Sequence, residues 1–171
     1  MRKKYHVLLF VGLHVLFFSL LAASLIFPLA RLPKSRGFIE RLFYSGRYYL
    51  TLNFLFVTKS LTMVLGGIVF NIIPGVGMIV LVNYIRELGS WASHIGLSNI
   101  KGMALIFASI MECEASILMS YLGLQLAIRL FLELLLKKTM ELDLRREYLL
   151  SGLVLLYMAT CIEMLILVYM R

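Results

Sequence analysis

The sequence predicts an all-α fold, a polytopic transmembrane helical bundle of about five spans with amphipathic interfacial segments. Three observations carry that prediction. Of the 171 residues, 61% are hydrophobic and only 15% charged, with a mean hydropathy of +0.93, which lies outside the range of soluble domains. Apolar runs of membrane-crossing length recur along the chain. Lys and Arg gather at the ends of those runs, where they meet headgroups and water, so the net charge of +8 implies a lipid surface and not a nucleic acid.

This length accommodates about five helical spans with short connections and almost no water-soluble domain. Residues 1–171 are therefore read as a single integral membrane domain, with spans at 7–30, 50–72, 75–91, 103–128 and 148–170. The first span follows Met1-Arg2-Lys3-Lys4, a basic front like that of a signal peptide. Its apolar stretch is longer than a signal core, and Ala22-Ala23-Ser24 is only a loose cleavage site, so it is read as a retained anchor. His14 inside it is expected to hydrogen-bond a neighbouring helix.

Residues 37–49 mix Arg41 and Arg47 with Phe38, Phe43, Tyr44, Tyr48 and Tyr49, a pattern suited to a helix lying in the interface. The second span carries Asn53 near its start, then Lys59, then Gly66-Gly67. Either Lys59 snorkels to the interface or the true span starts later than Leu50; the glycines allow close approach of another backbone. From Asn71 to Gly77 a proline and two glycines fall within four residues, which predicts a turn between spans or a re-entrant break lining a cavity.

The third span is short and ends in Asn83, Arg86 and Glu87, with Trp91 expected at headgroup level and His94 in a loop over Ala92–Asn99. The fourth is the informative one. Ala108, Ser109, Glu112, Ala115, Ser116, Ser120 and Gly123 recur at helical spacing, a small-residue packing stripe with a carboxylate inside it. A charge at bilayer depth costs roughly 3 kcal/mol on insertion scales, so Glu112 should face a partner, a cavity or a proton path. Glu114, two residues on, is rotated by about 200° and points elsewhere. The bland expectation for Glu112 is a protonated side chain donating one hydrogen bond to an adjacent helix; the functional one is a proton-relay or cation-binding carboxylate.

Residues 129–147 are amphipathic, with Glu133/Lys137 and Glu141/Arg145 at i,i+4, and extend a helix or lie in the interface. Glu163, in the last span, either reaches the interface or pairs with a basic side chain. Cys113 and Cys161 lack metal-ligand or CxxC spacing and read as small core residues. No metal site and no cofactor is expected. HExxH and GxSxG are both absent and no helix face pairs two acids, so the chain is not expected to be an enzyme.

The five-span layout, with a long connection after the first span, resembles the stage II sporulation protein M family. The likeness is densest from Asn53 to Leu124: Asn53 opens the second span, Gly66 and Gly67 lie deeper in it, Asn83 to Gly89 follows, and Glu112, Ala115 and Gly123-Leu124 share one helix. Ala108-Ser109 and Glu114 stand where that family often has His-Gly and Pro, and Asn83-Tyr84 where it has Asn-Gly. The resemblance implies a polytopic membrane protein of the kind that anchors and localises partner proteins, with no catalytic residues to carry over.

The expected function is accordingly an integral membrane scaffold or accessory subunit that docks other membrane proteins in a larger complex. The alternative is a transporter or channel component with a mid-membrane polar path around Glu112. Glu112, Ala115, Ser116, Gly123, Asn53, Asn71, Asn83, Gly66 and Gly67 are the residues expected to pack helices or line that path. The expected partners are the lipid bilayer, other membrane proteins and, as a further option, a second copy of the chain. The expected location is the cell membrane, multi-pass. Basic clusters fall on both sides, so charge gives only a weak bias; the signal-anchor-like start favours a cytoplasmic N-terminus.

Overall fold

A computed structural model describes residues 2–29, 46–73, 76–95, 99–137 and 146–169, and within them the chain is helical with no strand. Helix α1 runs Arg2–Ile26 and α2 Tyr48–Val64. A π turn at Leu65–Val69 and a 3-10 turn at Phe70–Ile72 continue α2. Helices α3, Val76–Ile95, α4, Ile100–Leu136, and α5, Arg146–Tyr169, complete the bundle.

Four helical stretches are long and apolar enough to cross a membrane: Tyr5–Ile26, Tyr48–Ile72, Ile100–Leu135 and Arg146–Val168. Helix α3 is not among them, one fewer than the five spans expected. Its Asn83, Arg86 and Glu87 are exposed while Leu81, Ile85 and Leu88 are buried, so it packs as an amphipathic helix. The first span ends at Ile26, short of residue 30, and the helix of α3 continues past Trp91 to take in His94, which was expected in a loop. There His94 Nδ1 lies 2.7 Å from the Ser90 carbonyl oxygen, a bond available only to a residue one turn on in a helix. The expected interfacial helix at 37–49 falls mostly on residues outside those described, as do Pro74, Gly75 and the stretch from Lys138 to Arg145.

Helix α4 is the hub, packing against every other element. At 37 residues it is about 55 Å long, well beyond a ~30 Å hydrocarbon core. The Asn99 side chain caps its start by accepting from the Gly102 amide at 2.7 Å. Its far end carries the Arg129–Glu133 pair at 2.6 Å, the helix extension anticipated for this segment. Every member of the small-residue stripe on α4 is buried.

That stripe lets backbones touch. A Cβ on Gly123 would lie 1.9 Å from the Gly67 carbonyl oxygen, and one on Gly77 would lie 1.9 Å from that of Gly66. The π turn therefore sits between α3 and α4 at a separation only glycine permits, the packing mode of membrane helices that lack a hydrophobic driving force against lipid. Asn71 supports the turn by donating to the Gly67 carbonyl at 2.9 Å. On the opposite side, a Cβ on Gly89 of α3 would lie 1.8 Å from Ser24 Oγ of α1, and the Leu29 amide donates to Ser90 Oγ at 2.9 Å.

Candidate functional site: a buried lysine between two glutamates

Four helices each send one polar side chain into the bundle interior at one place. Lys59 of α2 donates to Glu112 of α4 and to Glu163 of α5, and the Tyr84 hydroxyl of α3 donates to the second oxygen of Glu112 at 2.5 Å. Glu112 is 0% exposed, Glu163 4% and Lys59 9%. Three charged groups so deep in an apolar bundle are tolerable only because each faces an opposite charge, and removing Lys59 strands both carboxylates.

The helix registers explain the convergence. On α2 the buried residues are Thr51, Leu55, Lys59 and Met63, an unbroken i,i+4 series that carries the lysine inward. Lys59 thus does not snorkel to the interface: its neighbours on the helix face are core residues and its partners are inside. On α5, Gly152, Leu156, Ala159, Thr160 and Glu163 form the buried face, which resolves the two options for Glu163 in favour of a basic partner. Glu112 has two interhelical partners in this arrangement and not one, Lys59 on one oxygen and Tyr84 on the other.

Around this cluster the stripe residues serve packing. Ser116 returns its hydroxyl to the Glu112 carbonyl at 2.9 Å, which leaves the carboxylate to its interhelical partners. Ala115 and Gly123 are buried against neighbouring helices, as are Gly66 and Gly67. The expected polar path is not assembled from the residues suggested for it. Asn53 and Asn83 are exposed, and Asn71 is tied into the π turn with its Oδ1 against Gly77. A groove of about 410 Å³ lined by Ile100, Lys101, Ala104, Ile162, Leu165 and Ile166 is apolar and does not include the cluster.

Glu114 faces away from Glu112, as helix geometry requires, and meets His14 Nε2 at 3.2 Å, so His14 does bond a neighbouring helix. About two turns along the same α1–α4 seam, His6 Nδ1 lies 3.2 Å from both the Tyr121 hydroxyl and Gln125 Nε2. Cys113 is buried and Cys161 half-buried, both as free thiols. Among the described residues no three His, Cys, Asp or Glu side chains group as metal ligands.

No protein-family model, curated protein or solved structure matches this chain. The geometry alone therefore carries the functional reading.

Sequence reasoning singled out Glu112 but missed Lys59 and Tyr84 as its partners. A signal for Lys59 was present in its i,i+4 spacing from Leu55 and Met63. Tyr84 had one too, since it stands three residues after Leu81 and four before Leu88, beside Ile85 on the buried face of α3, although the exposed Asn83, Arg86 and Glu87 nearby draw the eye to the polar face.

Proposed function

We propose that the chain is an integral membrane scaffold or accessory subunit that docks other membrane proteins, multi-pass in the cell membrane with its N-terminus on the cytoplasmic side. The observation that supports this reading is that the charged interior groups are engaged with one another: Lys59, Glu112, Glu163 and Tyr84 tie four helices together, and the glycine contacts hold the backbones close beside them. A locked interior leaves function to the outer surface. That surface is largely apolar helix, with only 22% of the α1 span buried inside the bundle against 61% for α4.

The resemblance to the stage II sporulation protein M family points the same way, since its members include a protein that anchors partners. The residues that carry the resemblance, Glu112, Ala115 and Gly123, have interior packing roles. The reading needs no reaction at the cluster and no cofactor.

Purification of the native chain from its own membranes in mild detergent, with mass spectrometry of co-purifying proteins, tests it. Fixed partners at stoichiometric amounts are expected, and the same partners should be lost when apolar positions on the α1 outer face such as Leu8 and Val15 are changed to charged residues. Recovery of the chain alone would overturn the scaffold reading and favour the transport alternative.

A further inference from the structure

The central cluster has an arrangement that a purely structural ion pair does not require. One ammonium serves two carboxylates, and the oxygen of Glu112 turned away from Lys59 faces the only group in the cluster able both to donate and to accept, the phenol of Tyr84. We propose that Glu112 is a reversible proton-binding site, taking one proton on the oxygen that faces Tyr84. This goes beyond the scaffold reading and stands on the cluster alone.

The step is simple in atoms. An O–H bond forms at Glu112 Oε2 with a proton delivered from water, which enters as hydronium and leaves as water, and no electrons are transferred. Before the step the Tyr84 O–H donates to Oε2; after it, Oε2–H donates to the Tyr84 oxygen, and the phenol hydrogen turns outward. Lys59 keeps a hydrogen bond to Oε1 in both states, and in the protonated state its charge is left to Glu163. Both states therefore keep Glu112 bonded to Lys59 and to Tyr84 without moving a helix. A methionine-like apolar partner or a serine in place of Tyr84 would not reach and reverse in this way; a phenol does.

The position of Tyr84 suits access. It is half-buried on α3, next to exposed Asn83 and one turn from exposed Glu87, at the edge between the buried Leu81–Ile85–Leu88 face and the polar face of that helix. The groups facing Glu112 are Lys59 from α2, Tyr84 from α3 and Glu163 from α5. Helix α1 brings no titratable group to the cluster among the described residues, since its His14 and His6 face Glu114 and the Tyr121–Gln125 pair.

The test is infrared difference spectroscopy of the purified protein in detergent between about pH 5 and about pH 9, in H2O and D2O. A carbonyl stretch of a buried carboxylic acid, slow to shift in D2O, should appear on acidification with the amplitude of one group per molecule. It should be absent in Glu112→Gln, kept in Glu163→Gln, and moved in frequency in Tyr84→Phe, which removes the hydrogen-bond partner. The absence of such a band in the unmodified protein overturns the proposal, and so does its survival in Glu112→Gln or its loss in Glu163→Gln. If Glu112→Gln does not fold, Tyr84→Phe decides: an unmoved band means that the protonated group does not face Tyr84.

Discussion

Glu112 and Glu114 sit two residues apart on one helix and live in different worlds. Glu112 is fully buried and bonded from two sides, by Lys59 and by Tyr84. Glu114 meets one imidazole at 3.2 Å across a seam where the two side chains remain 26% and 31% exposed. The rotation of about 200° between them hands one to the four-helix interior and the other to the α1 seam. Residue type and depth in the apolar run are the same; what differs is which neighbours the helix face meets. The interior carboxylate belongs to a network whose charge balance rests on one lysine, whereas the seam carboxylate belongs to a single pair at the edge of the bundle.

The sharpest way to break this contrast is Lys59→Met, which strands two buried carboxylates. It should cost about 3–5 kcal/mol, seen as a large drop in melting temperature in detergent or in the yield of folded protein. A loss below about 1 kcal/mol would mean that the cluster is solvated and the contrast false. Next come the backbone contacts. Gly123→Ala and Gly77→Ala place a methyl into a carbonyl oxygen and should each cost about 1–3 kcal/mol. Gly12→Ala, where nothing lies within 4 Å, should be neutral or slightly stabilising. Thermal melts of the three variants side by side would show whether close approach, and not glycine as such, matters.

Glu112→Gln should be milder, within about 1.5 kcal/mol, because the amide still accepts hydrogen bonds and Lys59 still has Glu163. Assembly should survive while the infrared band is lost. The smallest effect is expected for Glu114→Gln, under about 1 kcal/mol, because the amide can still hydrogen-bond His14 across the seam. A penalty comparable to that of Lys59→Met would put Glu114 in the interior network and erase the distinction.

Much of this was readable in advance. Hydropathy placed the helices because bilayer thickness fixes span length, and the α4 stripe was visible because small residues at helical spacing have one physical use in a membrane. The failures are as specific. From sequence Lys59 reads either as snorkelling to the interface or as lying before a later span start, and only the positions of two acids on other helices decide otherwise. Glu163 had no assignable partner for the same reason: a single strand of sequence does not state which helix lies opposite. Helix α3 was counted as a span on its apolar face, although its polar face makes it a packed amphipathic helix. Asn53 and Asn83 read as functional from their polarity, and both turn outward.

The most direct test of the central claim, that one lysine holds two carboxylates and thereby three helices, is to compare Lys59→Met with the compound variant Lys59→Met/Glu112→Gln/Glu163→Gln in detergent thermal melts. If the network is as described, the compound variant, with two more changes of charge but no stranded one, should regain most of the stability that the single substitution loses. If the losses simply add, so that the compound variant is the less stable of the two, the three residues do not act as one unit and the account of the cluster is wrong.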